Sequence, residues 1–246
     1  MVFAAGLGTR LKPLTDSLPK ALVKVYDRPM LEWVILRLKQ FGFSDIIINV
    51  HHHADKIIDF LKISDNFGLN IKISYEKELL DTGGGLKKAA WFFEDSTDLL
   101  LHNTDILSDI NLHQLIKDHQ GMKADATLVV RNRKSNRYLL FDQNRQLCGW
   151  HSVKDNKIIW VNEANDNFDE YAFSGIHVIS AKLLKQFQTG NVFSIIPEYI
   201  RWAKHFSVQA NIADNTKWID LGKKENLNKA ADLFGSKYFE QLTHLR

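Results

Sequence analysis

The chain has a single cysteine, Cys148, among its 246 residues. One cysteine cannot form an internal disulfide or supply the cysteine cluster of a structural zinc site, so the composition favours a reducing compartment. No apolar run approaches the roughly 18 residues that a membrane span needs. The first residues also lack the basic segment and the long apolar core of a signal peptide. These absences predict a cytoplasmic protein with no membrane partner.

Excess charge is also missing. The chain carries 32 Lys and Arg against 29 Asp and Glu, a net charge of +3. It has no basic run and no stripe of basic and aromatic residues, which argues against nucleic acid as a partner. Repeats and Pro/Ser-rich linkers are absent too. With 45% hydrophobic and 25% charged residues, the composition predicts one globular domain over residues 1–246.

Apolar strand-like segments alternate with helix-like segments over the first 131 residues. This alternation predicts an α/β fold with a doubly wound, mainly parallel, Rossmann-like sheet. After Arg131, short strands separated by turn residues predict a small antiparallel insertion, a substrate-side flap over about residues 132–170. Helices are predicted over residues 29–41, 54–61, 84–93, 111–119, 181–187, 194–204 and 223–234. Further strands are predicted over residues 44–50, 70–76, 98–104, 124–131, 138–141, 146–150, 157–161, 172–179, 206–212 and 217–219.

The most informative segment is residues 2–22, which reads VFAAGLGTRLKPLTDSLPKAL. Gly6 and Gly8 let backbone N–H groups come close to an anion. Arg10 and Lys20 supply two cations that can neutralise phosphate charge. The two alanines before the glycines leave room for a flat ring against the backbone. The segment therefore predicts a polyphosphate site, the alternative being a glycine-rich turn with two solvated cations.

Two familiar phosphate motifs do not fit this segment. No G-x-x-x-x-G-K-[ST] loop is present. A dinucleotide fingerprint would need a third glycine where Leu11 stands, and an acidic residue near the end of the next strand, where the chain has Asn49 and His51. An NAD enzyme is therefore only a weak alternative.

Two aspartates stand at predicted strand ends. Asp105 closes the apolar run LLLHNTD, and Asp220 lies in WIDLG. Open α/β sheets place their ligands at the carboxyl ends of strands, and one or two carboxylates suit Mg²⁺. The two residues are thus candidate metal ligands. Alternatively, each carboxylate caps a turn or helix.

Two further motifs have competing interpretations. In DTGGG, residues 81–85, Thr82 is either the N-cap of a helix or part of a bare backbone that approaches a nucleobase. The run His51-His52-His53 suggests a metal site. However, consecutive residues project in different directions, and no other His or Cys stands at zinc spacing. A loop that borders the ligand cleft is the favoured interpretation.

The glycine segment resembles the signature G-x-G-T-R-L-x-P-L-T-x-x-x-P-K-x-L of the sugar-1-phosphate nucleotidyltransferases. The matching residues are Gly6, Gly8, Thr9, Arg10, Leu11, Pro13, Leu14, Thr15, Pro19, Lys20 and Leu22. The T-G-G-G turn, and the sequence Val161-Asn162-Glu163-Ala164-Asn165 where many relatives carry E-K-P, look most like the short bacterial N-acetylmuramate-1-phosphate uridylyltransferases. The long C-terminal β-helix of some relatives is not found. The resemblance implies a fold of the nucleotide-diphospho-sugar transferase type.

The activity that this resemblance implies joins a nucleoside triphosphate and a sugar 1-phosphate, with release of pyrophosphate. UTP and N-acetylmuramate 1-phosphate are the nearest substrates. Mannose-1-phosphate guanylyl transfer and glucose-1-phosphate thymidylyl or uridylyl transfer are alternatives. An alternative of another class is a non-catalytic module that binds a nucleotide sugar, although such a module would be expected to have lost a cation or an aspartate. A monomer or homodimer is expected.

The resemblance also assigns roles to residues. Arg10 and Lys20 would be catalytic, and Asp105 and Asp220 would hold Mg²⁺. The nucleotide would be bound by Ala4, Ala5, Gly6, Gly8, Thr9, Glu76, Thr82, Gly83 and Gly84. Glu78 is the other candidate for the acidic residue that reads the base. The sugar would be bound by Asn103, Ser174 and Gly175. If the sugar carries a lactyl carboxylate, it would meet the cations Arg131, Arg133, Lys134 and Arg137, which are otherwise a solvated loop.

Overall fold

A computed structural model describes residues 1–164, 166–188 and 190–246. It divides into two compact units, each made of separate stretches of chain. Unit 1 comprises Met1–Asp81, His102–Asp109 and Lys217–Arg246, and unit 2 comprises Thr82–Leu101 and Ile110–Thr216. The single nucleotidyltransferase domain over residues 1–246 stays a prediction, because the division into two compact units does not test it.

The elements follow the chain in the predicted alternating order. The strands are β1 (Val2–Phe3), β2 (Lys24–Val25), β3 (Arg28–Pro29), β4 (Asp45–Val50), β5 (Asn70–Tyr75), β6 (Asp98–Asn103), β7 (Ile106–Ser108), β8 (Ala126–Arg131), β9 (Arg137–Phe141), β10 (Leu147–Ser152), β11 (Lys157–Trp160), β12 (Asp169–Ser180), β13 (Val208–Ile212) and β14 (Trp218–Asp220). The helices are α1 (Met30–Gln40), α2 (Ala54–Ile63), α3 (Asp81–Lys88), α4 (Leu112–Gly121), α5 (Ile195–Trp202), α6 (Lys224–Phe234) and α7 (Ser236–Thr243).

The main sheet of unit 1 is parallel. Strand β1 lies between β4 and the end of β6, with Phe3 opposite Asn49 on one side and Asn103 on the other. Strand β5 continues the sheet beyond β4, again in parallel. Because parallel strands end at the same edge of a sheet, the glycine loop, the histidine run and the segment after Asn103 all leave the sheet at one edge. The predicted parallel α/β sheet is confirmed, and it places these motifs together.

Helices α1 and α7 form an aromatic core beside this sheet. The ring of Trp33 meets that of Phe239 edge-on at 4.8 Å between centroids, and Tyr26 stacks on Phe239 at 4.5 Å. The indole N–H of Trp33 donates to the carbonyl of Val25 at 2.9 Å, which satisfies its one polar group. The rings of Trp33 and Phe239 are therefore buried, and the indole N–H of Trp33 keeps a hydrogen-bond partner.

Unit 2 contains the predicted antiparallel insertion. Strands β9, β10 and β11 form an antiparallel meander, and β9 pairs with the start of β12. The rest of β12 pairs antiparallel with β8, and β13 pairs parallel with β8. Asn165, which belongs to the segment that replaces E-K-P, lies outside the described residues.

Several short elements differ from the prediction. The helix predicted over residues 84–93 begins at Asp81 and ends at Lys88, and a 3-10 turn over Ala90–Phe93 follows it. The segment 181–187 forms a 3-10 helix. Strand β7 and helix α7 were not predicted, since β7 has only three residues and exists through its pairing with β14. No helix of the described residues is both long and apolar enough to cross a membrane.

Candidate active site

The glycine loop takes its shape from a left-handed residue and a close approach. Gly8 has φ of +66°, and a Cβ there would stand 2.9 Å from side-chain carbons of Thr15 and Lys20. The Gly8 carbonyl accepts hydrogen bonds from the Leu11 amide at 2.8 Å and the Thr15 hydroxyl at 2.9 Å. Any larger residue at position 8 would be strained and would clash. The loop is therefore fixed in its turn, with Arg10 projecting from it.

The other predicted loop residues frame this turn. Ala4 and Ala5 are buried, whereas Gly6 and Thr9 are exposed. A Cβ on Gly6 would meet nothing within 4 Å. The open backbone at Gly6 agrees with the prediction that this stretch approaches a ligand, and nucleotide binding by these four residues stays a prediction.

Lys20 and Asp105 form an ion pair in unit 1. Lys20 opens a 3-10 turn directly after Pro19. Asp105 follows the end of β6, where Thr104 donates from its hydroxyl to the carbonyl of Phe3 at 2.7 Å and so fixes the strand end. The two side chains are only 17% and 15% exposed. The ammonium and the carboxylate are thus recessed together at the carboxyl edge of the sheet.

Asp220 reaches the same place through a second strand pair. Strands β14 and β7 are antiparallel with Asp220 opposite Ile106, and the amide of Leu221 donates to the carbonyl of Asp105 at 2.7 Å. The carboxylate of Asp220 lies 3.6 Å from the guanidinium of Arg10. The side chain of Arg10 is 55% exposed and that of Asp220 28%. This second ion pair is therefore open to solvent, unlike the first.

Gly222 shows how closely these groups converge. A Cβ at this position would stand 2.6 Å from the guanidinium of Arg10, 2.8 Å from a carboxylate oxygen of Asp220 and 3.0 Å from one of Asp105. Both carboxylates and one cation therefore border the same small space. Sequence reasoning quoted Gly222 only as part of a motif and missed this packing role, which its place two residues after Asp220 could have indicated.

The four charged groups of this cluster balance one another. Two carboxylates close together repel each other unless cations compensate them, and here Lys20 and Arg10 do so. Two carboxylates also match the protein share of a Mg²⁺ site, in which phosphates and water supply the remaining ligands. Among the described residues no group of three or more His, Cys, Asp or Glu could hold a metal. The donor set of Asp105 and Asp220 therefore fits Mg²⁺ held jointly with a phosphate ligand.

Glu76, a predicted nucleotide-binding residue, is fully buried in unit 1. One carboxylate oxygen accepts from the side-chain amide of Asn49 at 2.7 Å, and the other accepts from the backbone amide of Leu80 at 3.1 Å. Asn49 in turn accepts from the backbone amide of Ala4 at 2.9 Å. Sequence reasoning did not identify Asn49 as a site residue. Its only signal was a polar residue inside an apolar strand.

The T-G-G-G segment forms the start of helix α3, so Thr82 lies inside the helix and not at its N-cap, and the segment packs within unit 2 against the start of α5. The amides of Gly83 and Gly84 donate to the carbonyl of Phe193 at 2.9 and 3.1 Å, and the Thr82 hydroxyl accepts from the amide of Ile195 at 3.0 Å. A Cβ on Gly83 would stand 2.4 Å from the ring of Phe193. This packing accounts for glycine at position 83. Nucleotide binding by Thr82, Gly83 and Gly84 stays a prediction.

The predicted sugar-binding residues lie on strands. Ser174 and Gly175 are on β12 of unit 2, where the register with β8 shifts between Phe173 and His177. Gly175 has φ of +75°, so glycine suits this irregularity, and Ser174 is fully buried. Asn103 is the last residue of β6 and belongs to unit 1, and Thr104 and Asp105 follow it in the chain. Sugar binding by these residues stays a prediction.

The histidine run lies in the turn between β4 and α2. The imidazole of His51 lies 2.9 Å from the carbonyl of Glu76, and that of His53 lies 3.3 Å from the carbonyl of Asp16 in the loop after the glycines. Burial and the neighbouring His53 lower the pKa of His52. That the histidine run borders the ligand cleft stays a prediction.

The cation cluster after β8 does not act as one surface. Arg131 is buried, and its guanidinium donates to the carbonyls of Ala213 and Thr216, so it is a structural residue of unit 2. Arg133 donates to the carbonyl of Phe173 at 3.0 Å. Arg137 differs, because it lines a cavity of about 340 Å³. The other lining residues are Trp150, Ile159, Ser194, Ile196, Pro197 and Ile200. The cavity combines an apolar wall with one cation.

Two carboxylates, an arginine and a lysine that lie together beside a parallel α/β sheet are the arrangement expected of a class of protein that binds polyphosphate ligands. The profile of one family, described as nucleotidyl transferase, matches residues 1–236. The chain belongs to this nucleotidyl transferase family.

Individual relatives share part of the chain. Over 142 residues it is 34% identical to a UTP–glucose-1-phosphate uridylyltransferase of Synechocystis sp., which is 53% of this chain and 36% of that protein. Over 132 residues it is 35% identical to a mannose-1-phosphate guanyltransferase of Gibberella zeae, again 53% of this chain and 36% of the relative. The match therefore spans little more than a third of the length of these relatives.

Solved structures share the fold over almost the whole chain. HddC from Yersinia pseudotuberculosis, in complex with GMP-PN, has a TM-score of 0.73 at 23% identity, with 94% of this chain and 96% of that chain covered. A UDP-glucose pyrophosphorylase in complex with UDP-glucose also has a TM-score of 0.73, at 16% identity, with 98% and 97% covered. The predicted fold of the nucleotide-diphospho-sugar transferase type is confirmed.

Proposed function

We propose that the protein is a sugar-1-phosphate nucleotidyltransferase. It would join a nucleoside triphosphate and a sugar 1-phosphate into a nucleoside-diphosphate sugar and release pyrophosphate. The observation that carries the proposal is the convergence of Arg10, Asp105 and Asp220 in the small space beside Gly222, together with the ion pair between Asp105 and Lys20. A family match alone would not show that these side chains lie together. In the structure each cation pairs with one of the two carboxylates.

The reaction is an in-line attack of a sugar-phosphate oxygen on the α-phosphorus of the nucleotide, for which positioning and charge stabilisation suffice. No side-chain nucleophile is needed. Asp105 and Asp220 would hold Mg²⁺, which when bound supplies positive charge to the phosphate oxygens. The chain's own cations contribute the rest. Arg10, exposed at the loop, would hold the leaving pyrophosphate, and the recessed Lys20 would exchange its contact with Asp105 for the reacting phosphates.

The balance of charges makes this exchange favourable when the substrate enters. With no ligand bound, each carboxylate is compensated by a cation, so no uncompensated charge is left in a partly buried place. A polyphosphate brings negative charge that competes for Lys20 and Arg10, and it leaves the two carboxylates to the metal. Binding of nucleotide and of Mg²⁺ should therefore each favour the other.

For the acceptor we propose N-acetylmuramate 1-phosphate, with UTP as donor. Support comes from the cavity of unit 2, in which the cation Arg137 stands among apolar side chains such as Trp150 and Ile159. Within the described residues no ion pair holds the Arg137 guanidinium. A lactyl carboxylate could pair with it while the methyl groups of the sugar contact the apolar wall. Of the four cations that the sequence offered as partners of the lactyl carboxylate, we therefore propose Arg137.

A panel experiment tests the reaction and its substrates together. Pyrophosphate release would be measured with UTP, GTP, dTTP and ATP against N-acetylmuramate, N-acetylglucosamine, glucose and mannose 1-phosphates, with Mg²⁺. Turnover with any pair supports the reaction class. A preference for mannose 1-phosphate with GTP would overturn the substrate proposal alone. Tight nucleotide-sugar binding with no turnover from any pair would favour the non-catalytic module.

A further inference from the structure

A buried chain of hydrogen bonds links the glycine loop to the loop that follows β5. It runs from the backbone amide of Ala4 through the side chains of Asn49 and Glu76 to the backbone amide of Leu80, with distances of 2.9, 2.7 and 3.1 Å. Both side chains are buried, Glu76 completely. Every member belongs to unit 1.

The polarity of this chain is fixed. The Oδ1 atom of Asn49 must face the Ala4 N–H, because an N–H can only donate. The Nδ2 group of Asn49 therefore points to Glu76, which must accept. The second oxygen of Glu76 accepts from Leu80, so both carboxylate oxygens are used inside the protein. The middle bond needs one donor and one acceptor, and in this protein the amide at position 49 donates to the carboxylate at position 76.

The backbone of Glu76 is held as firmly as its side chain. Its amide donates to the carbonyl of Val50 at 2.8 Å, and its carbonyl lies 2.9 Å from the imidazole of His51. A carboxylate fixed in this way is unlike a group that reaches out to a ligand. Its contacts instead hold residues 77–80 at a set distance from Ala4 and Ala5, whose small side chains leave space for a flat ring.

We propose that Asn49 is a positioning residue for the nucleotide: it acts through Ala4 and Glu76 to set the spacing between the glycine loop and loop 77–80 that receives the nucleobase. This inference rests on the proposed function. It also changes the role of Glu76, which holds the loop in place and leaves the base edge to other groups, among them the backbone of residues 77–80.

Reversing the polarity of the chain tests the proposal. Asn49→Asp places a second carboxylate against Glu76, and the two can keep their hydrogen bond only by taking up a proton, which costs free energy at neutral pH. Glu76→Gln places an amide donor against the amide of Asn49. The double substitution, Asn49→Asp with Glu76→Gln, restores all three bonds with one carboxylate, since the new carboxylate accepts from Ala4 and from the new amide, whose oxygen accepts from Leu80.

The measurements are the dissociation constant of UTP by calorimetry, KM and kcat with Mg²⁺, and the unfolding temperature. Each single variant should weaken UTP binding and raise its KM by at least about tenfold, with a smaller change in kcat. The double variant should return to within about threefold of wild type. A matched control is Asn70→Asp, because Asn70 donates to Asp45 at 2.7 Å on the same two strands, but at their exposed far end. It should bind UTP as wild type does.

The outcomes separate this inference from the proposed function. Wild-type turnover together with wild-type UTP binding in both single variants overturns the role of Asn49 and leaves the function intact. The inference is also overturned if the double variant binds UTP as weakly as Glu76→Gln does, because that result would mean that the Glu76 carboxylate contacts the nucleotide directly. UTP binding that the variants weaken and the double variant restores, without turnover from any substrate pair, supports the inference and overturns the function. If a single variant does not fold, recovery of folding without recovery of UTP binding in the double variant overturns the inference.

Discussion

The ammonium of Lys20 pairs with the carboxylate of Asp105, 85 positions further along the chain, and both side chains are largely shielded from water. The second pair, between Arg10 and Asp220, is open to solvent. The two pairs meet at Gly222. This arrangement gives each residue a different expected contribution, and substitutions can separate those contributions.

Asp105→Asn removes one anionic ligand while keeping the size of the side chain. Turnover should fall by at least about 100-fold, as when a charge-stabilising group is lost from a reaction centre. The unfolding temperature should fall as well, because the recessed ammonium of Lys20 loses its charged partner. Initial rates of pyrophosphate release at several Mg²⁺ concentrations check this. Asp16→Asn is the control, since Asp16 is an exposed carboxylate of the loop after the glycines and pairs with Lys12. Activity within about threefold of wild type would contradict the metal assignment.

Lys20→Ala and Arg10→Ala should both lower kcat, because each cation meets charge that develops on phosphate oxygens. The fall in kcat should be larger for Lys20→Ala, since this substitution also leaves the recessed carboxylate of Asp105 without its partner. Steady-state kinetics with UTP would separate kcat from KM. Lys12→Ala provides the control, because Lys12 is an exposed cation of the same loop. If both variants changed KM alone, the loop would serve binding and not catalysis.

Gly222→Ala should disrupt the site without unfolding the protein. The added methyl group would displace the end of the Arg10 side chain and press on both carboxylates, and a flexible side chain can move at small cost. We expect kcat/KM to fall about tenfold or more, with an unfolding temperature close to that of wild type. Gly121→Ala is a suitable control, as a Cβ there meets nothing within 4 Å. Equal activity of the two variants would show that the convergence at Gly222 has no part in the reaction.

The acceptor preference should depend on Arg137. Charge-assisted hydrogen bonds to a lactyl carboxylate are worth about 1.5–3 kcal/mol, so kcat/KM for N-acetylmuramate 1-phosphate should exceed that for N-acetylglucosamine 1-phosphate by roughly ten- to a hundredfold. Arg137→Gln should abolish most of this ratio, whereas Lys134→Gln, in the same loop, should preserve it. Equal efficiency of wild type on both acceptors would rule out the muramate assignment.

Stability should depend on pH through His102. Burial, the dominant cause, lowers the pKa of this imidazole to about 4. Its Nδ1 lies 2.8 Å from the Asn103 carbonyl. Above pH 6.5 the side chain is neutral in both states. Between pH 6.5 and 4 only the unfolded chain takes up the proton, so the free energy of unfolding should fall by about 3 kcal/mol.

Urea unfolding of wild type and His102→Gln from pH 7 to 4 measures this effect. Both proteins have the same carboxylates, so the contribution of these groups cancels in the difference between the two free energies of unfolding. The wild-type curve should lose more stability than that of the variant. The exposed residue His205 gives a control, and His205→Gln should follow wild type. Parallel curves for wild type and His102→Gln would show that His102 does not titrate in this way.

The alternation of segments was sufficient to predict the fold class. Short apolar runs such as residues 44–50 are buried on both faces when they form the strands of a sheet. The amphipathic segments between them bury their apolar sides when they pack as helices on the faces of that sheet. The long elements α1, β4 and β5 therefore match their predictions within a few residues. Short elements such as β7 have too few residues to show a period, and their partner is far away in the sequence.

The candidate residues could be identified from the sequence because glycines, cations and strand-end aspartates have recognisable spacing. The parallel α/β class, the glycine loop and the likeness of the chain to one family follow from local pattern and were visible in the sequence. The three-dimensional structure was needed to show that Lys20 pairs with Asp105, that Gly222 leaves no room for a side chain, that Asn49 and Glu76 complete a buried chain of hydrogen bonds, and that Arg131 is structural. These facts depend on distances between residues that are far apart along the chain, and no local pattern encodes such distances.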